Sequence, residues 1–405
     1  MRVIVIGGGA AGFFAGMSAK VHHPGAEVLL LEKSDKVLSK VRISGGGRCN
    51  VTHDQPEPRK LALNYPRGSA FLRRSFARFA VKETVRWFLD RRVELVAEAD
   101  GRMFPRSNTS GTIIHALTDE ADRLGVQVRM GTSVLEVVPR GVPGVPSFEV
   151  VTSSAPLTAD RVIVTTGGHP RSNGYAFLNT TGHTLVPPVP SLFTFNMPDE
   201  PIRELMGVSQ PVRAALVGMS IESHGPLLIT HWGMSGPAIL RLSAWGAREL
   251  HDCGYDFQLR VNWANGANEE YLRGHFNAQA ERLSRKQAGN ADPIDMPRRL
   301  WTHLLDRVGI PLDRPWGSLS KADRDRLIDR LTNSRYSVHG KTTFKEEFVT
   351  AGGVDLNEVD PLTMESRRHP GLHFAGEVLD IDGITGGFNF QAAWTTGFLA
   401  GRLGT

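Results

Sequence analysis

Residues 7–12 read Gly7-Gly8-Gly9-Ala10-Ala11-Gly12. The G-x-G-x-x-G spacing assigns each glycine a task. Gly7 permits a tight turn, Gly9 lets backbone approach a pyrophosphate, and Gly12 lets a helix and a strand pack closely. Ala10 and Ala11 open that helix, whose free N–H groups and partial positive charge suit phosphate. Glu32 follows Gly12 by 20 residues and precedes Lys33. At the end of a second strand, a carboxylate accepts both hydroxyls of a ribose. An acid there suits an adenosine ribose without a phosphate, so FAD or NAD rather than NADP, and the residues alone leave those two open.

Three further runs carry chemistry. In Ser44-Gly45-Gly46-Gly47-Arg48-Cys49-Asn50, three consecutive glycines weaken any helix or strand. They suit a loop whose N–H groups wrap an anion or a flat ring, with Arg48 placed to pair with phosphate. Thr165-Thr166-Gly167-Gly168 ends an apolar run and lets the chain pass close to an adenylate. Phe374 to Gly383 delivers an acidic loop, and Gly386-Gly387 leads into a helix that is small and apolar on one side. N–H groups at that helix start would stabilise negative charge on a reduced isoalloxazine. Cys49 and Cys253 are the only cysteines. The C-x₄-C pair of flavin disulfide reductases is absent, so Cys49 reads as a packed residue rather than a redox nucleophile. No metal site is expected, and no second G-x-G-x-x-G offers NAD(P)H a domain of its own. Either a nicotinamide visits the flavin transiently as electron donor, or electrons come from the substrate and leave to oxygen.

The elements that must position these residues follow from the apolar pattern. After Met1-Arg2 a run of only four apolar residues, Val3–Ile6, precedes Gly7, too few for a signal peptide but enough for a buried parallel strand. With Phe13–Val21 as helix and Val28–Leu31 as strand, residues 1–32 form a βαβ unit. Helices are expected at 80–92 and 112–124, and strands at 126–130, 134–138, 148–152 and 161–165. Prolines at 187, 188 and 190 mark a boundary. Residues 191–265 read as short strands, and 268–333 as helices, with Pro297 at a first helical position, Gly309 past a helix end, and Ser320 with Asp323 as a capping pair.

Composition sets the outer limits. With 405 residues, 40% hydrophobic and 22% charged, the chain is a folded protein of more than one lobe. It has no apolar run of about 18 residues, and two cysteines point to a reducing, cytoplasmic setting. Glycine contributes 43 residues, well above the usual ~7%. The net charge of +5 is small and the arginines are scattered, so the expected partner is a small-molecule substrate, not a nucleic acid or a membrane.

Together, GGGAAG, Glu32-Lys33, ISGGGRCNVT (Ile43–Thr52), GRMFP (Gly101–Pro105), THWGMSGPAIL (Thr230–Leu240), VTAGGV (Val349–Val354) and FAGEVLDIDGITGGFNFQAAW (Phe374–Trp394) resemble one family. It is the bacterial NAD(P)/FAD-dependent oxidoreductases that include aminoacetone oxidase and the flavoprotein reductases of bile-acid dehydroxylation. The resemblance implies a discontinuous α/β, Rossmann-like FAD domain of the two-dinucleotide-binding-fold type over 1–190 and 350–405. It implies an inserted β-barrel-like substrate domain over 191–265 and 334–349, and a helical insert over 266–333. It places Gly7, Gly9 and Gly12 on the pyrophosphate and Glu32 on the adenosine ribose. Lys40 and Ser44–Asn50 (Gly45, Gly46, Gly47, Arg48, Cys49) would flank the flavin, and Val134 would meet the adenine through its backbone. Gly376, Glu377 and Asp382 would line the ribitol and pyrophosphate side, and Gly387, Phe388 and Asn389 would reach the ring; Thr166, Gly167 and Gly168 are cofactor candidates from their own run. Thr230, His231 and Ser235 fall on the insert, with His231 the candidate general acid. The expected activity is hydride transfer between a small organic substrate, or NAD(P)H, and flavin N5. The alternatives are an oxygen-using amine or aminoketone oxidase, a flavin-dependent RNA-modifying enzyme, and a non-enzymatic FAD-binding redox sensor.

Overall fold

Val3, Ile4 and Val5 are wholly buried, as are Val162, Ile163 and Val164, because strands covered on both faces read as unbroken apolar runs. In the computed structural model, which describes residues 1–142, 145–342 and 349–404, these runs centre a five-stranded parallel sheet. Its order is Leu372–Phe374, Arg161–Val164, Arg2–Ile6, Glu27–Leu31 and Gln127–Arg129. The chain clusters into two units, Met1–Ser191 with Lys345–Thr405, and Leu192–Phe344. Residues 343–348, part of the stretch 334–349 assigned above, lie outside the described residues.

In the first unit the last strand pairs with Arg161–Val164, so residues from both ends of the chain share one sheet. The Ala10–His22 and Phe388–Gly401 helices pack on each other. A Cβ on Gly397 would lie 2.5 Å from the Ala11 carbonyl oxygen, and one on Gly401 would lie 2.3 Å from that of Ala15. Small residues four apart therefore bring two backbones into contact. The Phe14 and Trp394 rings, 4.8 Å apart, fill the adjoining space, and truncating either residue to alanine would cost about 3–5 kcal/mol.

In the second unit a seven-strand antiparallel ladder runs Ser334–His339, Asp256–Asn262, Ser209–Leu216, Glu222–Ile229, Gly233–Ser235, Thr194–Asn196, Lys341–Thr342. The first and last members are one chain segment interrupted only by Gly340, whose φ is 95°. That bend lets one segment pair with Asp256–Asn262 before Gly340 and with Thr194–Asn196 after it. The ladder thereby closes into a barrel. The helices Glu269–Leu283, Arg298–Arg307 and Lys321–Thr332 share its core through Phe276, Trp301 and Leu327, with Trp316 from the turn between the last two. Two differences from the sequence pattern appear. Pro237–Trp245 and Ala247–Asp252 are helices inside the stretch read as strands. Pro237 at the first helical position was their signal, masked by an apolar run too short to show a period. Pro297 is the N-cap, not the first helical residue, because its ψ of 126° is extended. The Ser320–Asp323 capping pair forms as expected, through reciprocal bonds of 3.0 and 3.1 Å.

His373, in the sheet's last strand, is wholly buried, and neither ring nitrogen has a partner among the described residues. Burial pushes its pKa down from 6.5 to about 4. The folded state therefore binds fewer protons than the unfolded state between these values. Stability should fall as pH drops through about 6.5 and level off near 4, a loss of up to ~3 kcal/mol. His373→Leu should flatten this dependence, measured as the difference in melting temperature between pH 7.5 and pH 5. An unchanged difference would rule His373 out as its source.

Candidate functional site

The loops at the carboxyl ends of the parallel strands converge, as open α/β sheets require of a ligand site. After Arg2–Ile6, Gly7 turns with φ 113° and donates its N–H to the Leu31 carbonyl (2.8 Å). A Cβ on Gly12 would lie 1.9 Å from the Gly7 carbonyl oxygen, so no other residue fits there without moving the turn. Thr165 Oγ1 braces the same turn from the neighbouring strand, donating to the Ile6 and Gly7 carbonyls at 2.9 and 3.0 Å. Nothing lies within 4 Å of where a Gly9 Cβ would stand, so this backbone is open beside the amino end of the Ala10–His22 helix.

Glu32 clamps the turn to its neighbour. One carboxylate oxygen accepts the Gly8 N–H (2.8 Å), and the other accepts the N–H and hydroxyl of Ser34 (2.9 and 2.8 Å). Its backbone carbonyl accepts the Thr132 N–H (2.9 Å), bringing the start of the Val134–Pro139 strand alongside. Lys33 is exposed. Lys40 donates to Glu377 (2.8 Å), whose other oxygen accepts the Thr350 N–H (2.8 Å). A Cβ on Gly168 would strike both Thr350 and Glu377, and one on Gly376 would lie 2.9 Å from the Ala11 Cβ. The space beside Gly167 is open, and the Thr166 hydroxyl reaches only the Gly167 carbonyl, at 3.5 Å. One cluster thus holds Gly7–Gly12, Glu32, Lys40, Thr166–Gly168, Gly376 and Glu377.

A second cluster joins the triple-glycine loop to the C-terminal glycines. The Ser39–Gly47 segment is helical only as far as Ile43. Ser44 is extended and Gly45 and Gly46 are left-handed, with open space beside Gly46 and Gly47. The Asn50 amide, oriented to satisfy both ends, donates to the Thr52 carbonyl and accepts the Gly387 N–H, each at 3.0 Å. Trp394 Nε1 donates to the Val51 carbonyl (2.9 Å), and Thr52 Oγ1 to Gln391 (2.6 Å). Gly387, with φ 92°, starts the Phe388–Gly401 helix without a side-chain cap.

Several side chains are engaged elsewhere than the sequence pattern suggested. The Arg48 guanidinium bonds Glu98 at 2.8 Å, stands 4.0 Å over the Phe104 ring and donates to the Gly45 carbonyl at 3.3 Å, so it is engaged by the protein and by its own glycine loop. Asp382 is wholly buried in an ion pair with Arg67 and accepts the Ser191 hydroxyl at 2.7 Å. Burial pushes its pKa up, opposed by Arg67, so it is an internal anchor instead of an open ligand. The Phe388 ring is buried and stacked on His53, 4.5 Å away, and the Asn389 amide bonds the Gly383 backbone at both ends. This stretch therefore offers backbone, not side chains. Burial pushes the Cys49 thiol up to about 12, which removes thiolate chemistry. His231 is exposed in the second unit, against Trp232, and Ser235 accepts from Thr194 (3.1 Å). Among the described residues no cluster suited to a metal ion occurs.

The structure adds His53, Tyr65, Arg67, Phe104, His169 and Thr350. His169 directly follows Gly168. Its Nε2 is buried without a partner among the described residues, and burial with the nearby Lys33 and Lys40 lowers its pKa. A neutral imidazole, open glycine backbone and two lysines in one cluster fit a dinucleotide.

Fold and site define a Rossmann-type dinucleotide-binding protein. The chain belongs to the HI0933-like family, whose Rossmann-domain model matches residues 1–403. It is 30% identical to a 3-dehydro-bile acid delta(4,6)-reductase of Clostridium scindens, over 99% of this chain and 98% of that protein. It is also 30% identical to a ribosomal RNA dihydrouridine synthase of Escherichia coli, over 97% and 95%. A solved 3-ketosteroid-delta4-(5alpha)-dehydrogenase of Rhodococcus jostii shares the fold with a TM-score of 0.50 and 14% identity, over 98% of this chain and 96% of that one. By class the chain is an FAD-dependent oxidoreductase.

Two substitutions separate the roles of these loops. Gly387→Ala places a Cβ 2.5 Å from the Thr52 carbonyl oxygen at positive φ. It should destabilise the first unit by about 2 kcal/mol or more, read as a lower midpoint of urea unfolding. Cys49→Ala should leave flavin content unchanged, and Cys49 in the native protein should resist a thiol reagent that labels it after unfolding.

Proposed function

We propose that the chain holds FAD in its first unit and reduces a carbon–carbon double bond conjugated to a carbonyl. The carrying observation is the two-ended glycine cradle, in which Asn50 bonds Gly387 while Gly12 packs on the Gly7 turn. In this reading Gly7, Gly9, Ala10, Ala11 and Gly12 present N–H groups to the pyrophosphate. Glu32 takes the adenosine ribose, with Lys33 and the Val134 backbone at the adenine end. Lys40, Thr166, Gly167, Gly168, Gly376 and Glu377 border the phosphates and ribitol. Ser44–Asn50 and Gly387–Asn389 meet the ring through backbone groups, and the uncapped helix start at Gly387 favours negative charge there. When bound, FAD supplies two-electron hydride chemistry. His231 is the candidate proton donor.

The type of bond reduced is supported by the two kinds of relative. Their names describe saturation of a double bond beside a carbonyl, in a steroid and in uridine. The second kind favours a uracil base of an RNA as acceptor. NADH or NADPH is the proposed donor, visiting the flavin transiently. Two unpaired cysteines suit a cytoplasmic setting.

Purified protein should carry visible flavin absorbance and release FAD on denaturation. Under anaerobic conditions NADH or NADPH should bleach it, and a 3-oxo-4,6-diene steroid or a uridine-containing RNA should restore it. Absence of flavin sinks the reading. Reduction by amines alone, with reoxidation only by oxygen, replaces it with the oxidase alternative.

Glu32→Ala removes the acceptor of the Gly8 N–H and of the proposed ribose hydroxyls. A loss of about 1.5–3 kcal/mol, roughly 10–100-fold, is expected in FAD retention, measured as flavin-to-protein ratio after dialysis. Full retention would unseat Glu32 from its role.

A further inference from the structure

The positive charge of this chain is gathered in one segment. Residues 57–92 hold ten Lys and Arg against three Asp and Glu, a surplus of seven, where the whole chain has a surplus of five. Outside this segment the molecule is slightly acidic. The three acids are spent locally: Glu57 pairs with Lys60, Asp90 pairs with Arg86, and Glu83 accepts the Ala80 N–H. Arg67 is taken by Asp382 and Arg91 by Glu120. Arg59, Arg73, Arg74, Arg78, Lys82 and Arg92 are left exposed, with no acidic partner among the described residues.

The fold gives this charge a direction. Along the Ser69–Ser75 helix and the turn after it, Phe71, Leu72, Ser75, Phe76 and Phe79 face inward and are buried. Arg73, Arg74 and Arg78 are therefore left on the outside of the same stretch. The segment is also bonded to the C-terminal helix of the candidate site. The Tyr65 hydroxyl donates to the Phe388 carbonyl (2.6 Å), the Gln391 amide to Thr84 (2.9 Å), and the Thr395 hydroxyl to the Phe79 carbonyl (3.0 Å).

We infer that this surface docks the phosphodiester backbone of an RNA. Exposed cations close in sequence and without acidic partners, with Arg73, Arg74 and Arg78 on the outer side of one stretch, are a polyanion footprint. Five of the six are arginine, whose planar fork matches phosphate bidentately. The inference stands on charge placement and does not depend on which bond the flavin reduces.

The test is fluorescence anisotropy with a labelled 30-nucleotide RNA hairpin, titrated with the flavin-loaded protein at several salt concentrations. Arg73→Glu/Arg74→Glu should weaken binding at least tenfold and flatten the salt slope by about 1.4–1.8, the value of two phosphate contacts. Arg73→Gln/Arg74→Gln and Arg78→Gln/Lys82→Gln should move the same way, so that a folding failure in one variant leaves two others. Arg285→Glu/Lys286→Glu, an equal change of charge at exposed positions of the second unit, should leave binding intact. Equal weakening by this control would reduce the effect to bulk charge and overturn the inference. So would absence of RNA binding, or binding of phosphatidylserine vesicles in its place through the same arginines. Flavin content, read on every variant, reports separately on the cofactor.

Discussion

Everything in the first unit depends on a close approach of two backbones. Gly397 and Gly401 leave no side chain between the Phe388–Gly401 helix and the carbonyls of Ala11 and Ala15. Residues separated by nearly the whole chain thus become neighbours, and Gly376 comes against Ala11 in the same way. The amino end of the first helix and that of the last are held in one framework. A site that needs two helix N-termini near one ligand can be assembled only if such a contact precedes it.

The charged groups of this unit divide into those that build and those that remain available. Asp382 with Arg67, and Arg48 with Glu98 and Phe104, are committed to the protein itself. Glu32 does both kinds of work. It fixes the Gly8 turn and Ser34 with three accepted bonds, and a carboxylate has about four lone-pair positions. The loop is therefore shaped by the same residue that the motif assigns to the ribose. Pre-organisation of this kind lowers the ordering cost of binding.

The parallel sheet was legible because its strands are unbroken apolar runs, and the first glycine turn because its spacing has a direct mechanical meaning. Family membership was legible from long runs such as the one ending at Trp394. Side-chain direction was not. Nothing in the string Phe388-Asn389-Phe390 shows that the first ring turns inward onto His53 or that the amide of Asn389 is consumed by Gly383. Asp382 looked like an open ligand because its partner, Arg67, lies 315 residues away. Long-range pairs of this sort leave no local period. The Pro237–Trp245 helix is hidden for a different reason: a nine-residue, mostly apolar stretch serves a buried helix as well as a buried strand. The charge of residues 57–92 was hidden by averaging over the whole chain.

The bend at Gly340 has a consequence for how the second unit behaves as a separate piece of protein. Because one segment serves both margins of the ladder, the margin at Thr194–Asn196 is paired by Lys341–Thr342 and not left open. Open margins are templates on which other chains add strands. A sheet closed on itself can be spliced into the middle of another fold without bringing a self-association hazard. The parallel sheet of the first unit must wait for its last strand at residue 372, whereas every strand of the closed ladder has been made by residue 342.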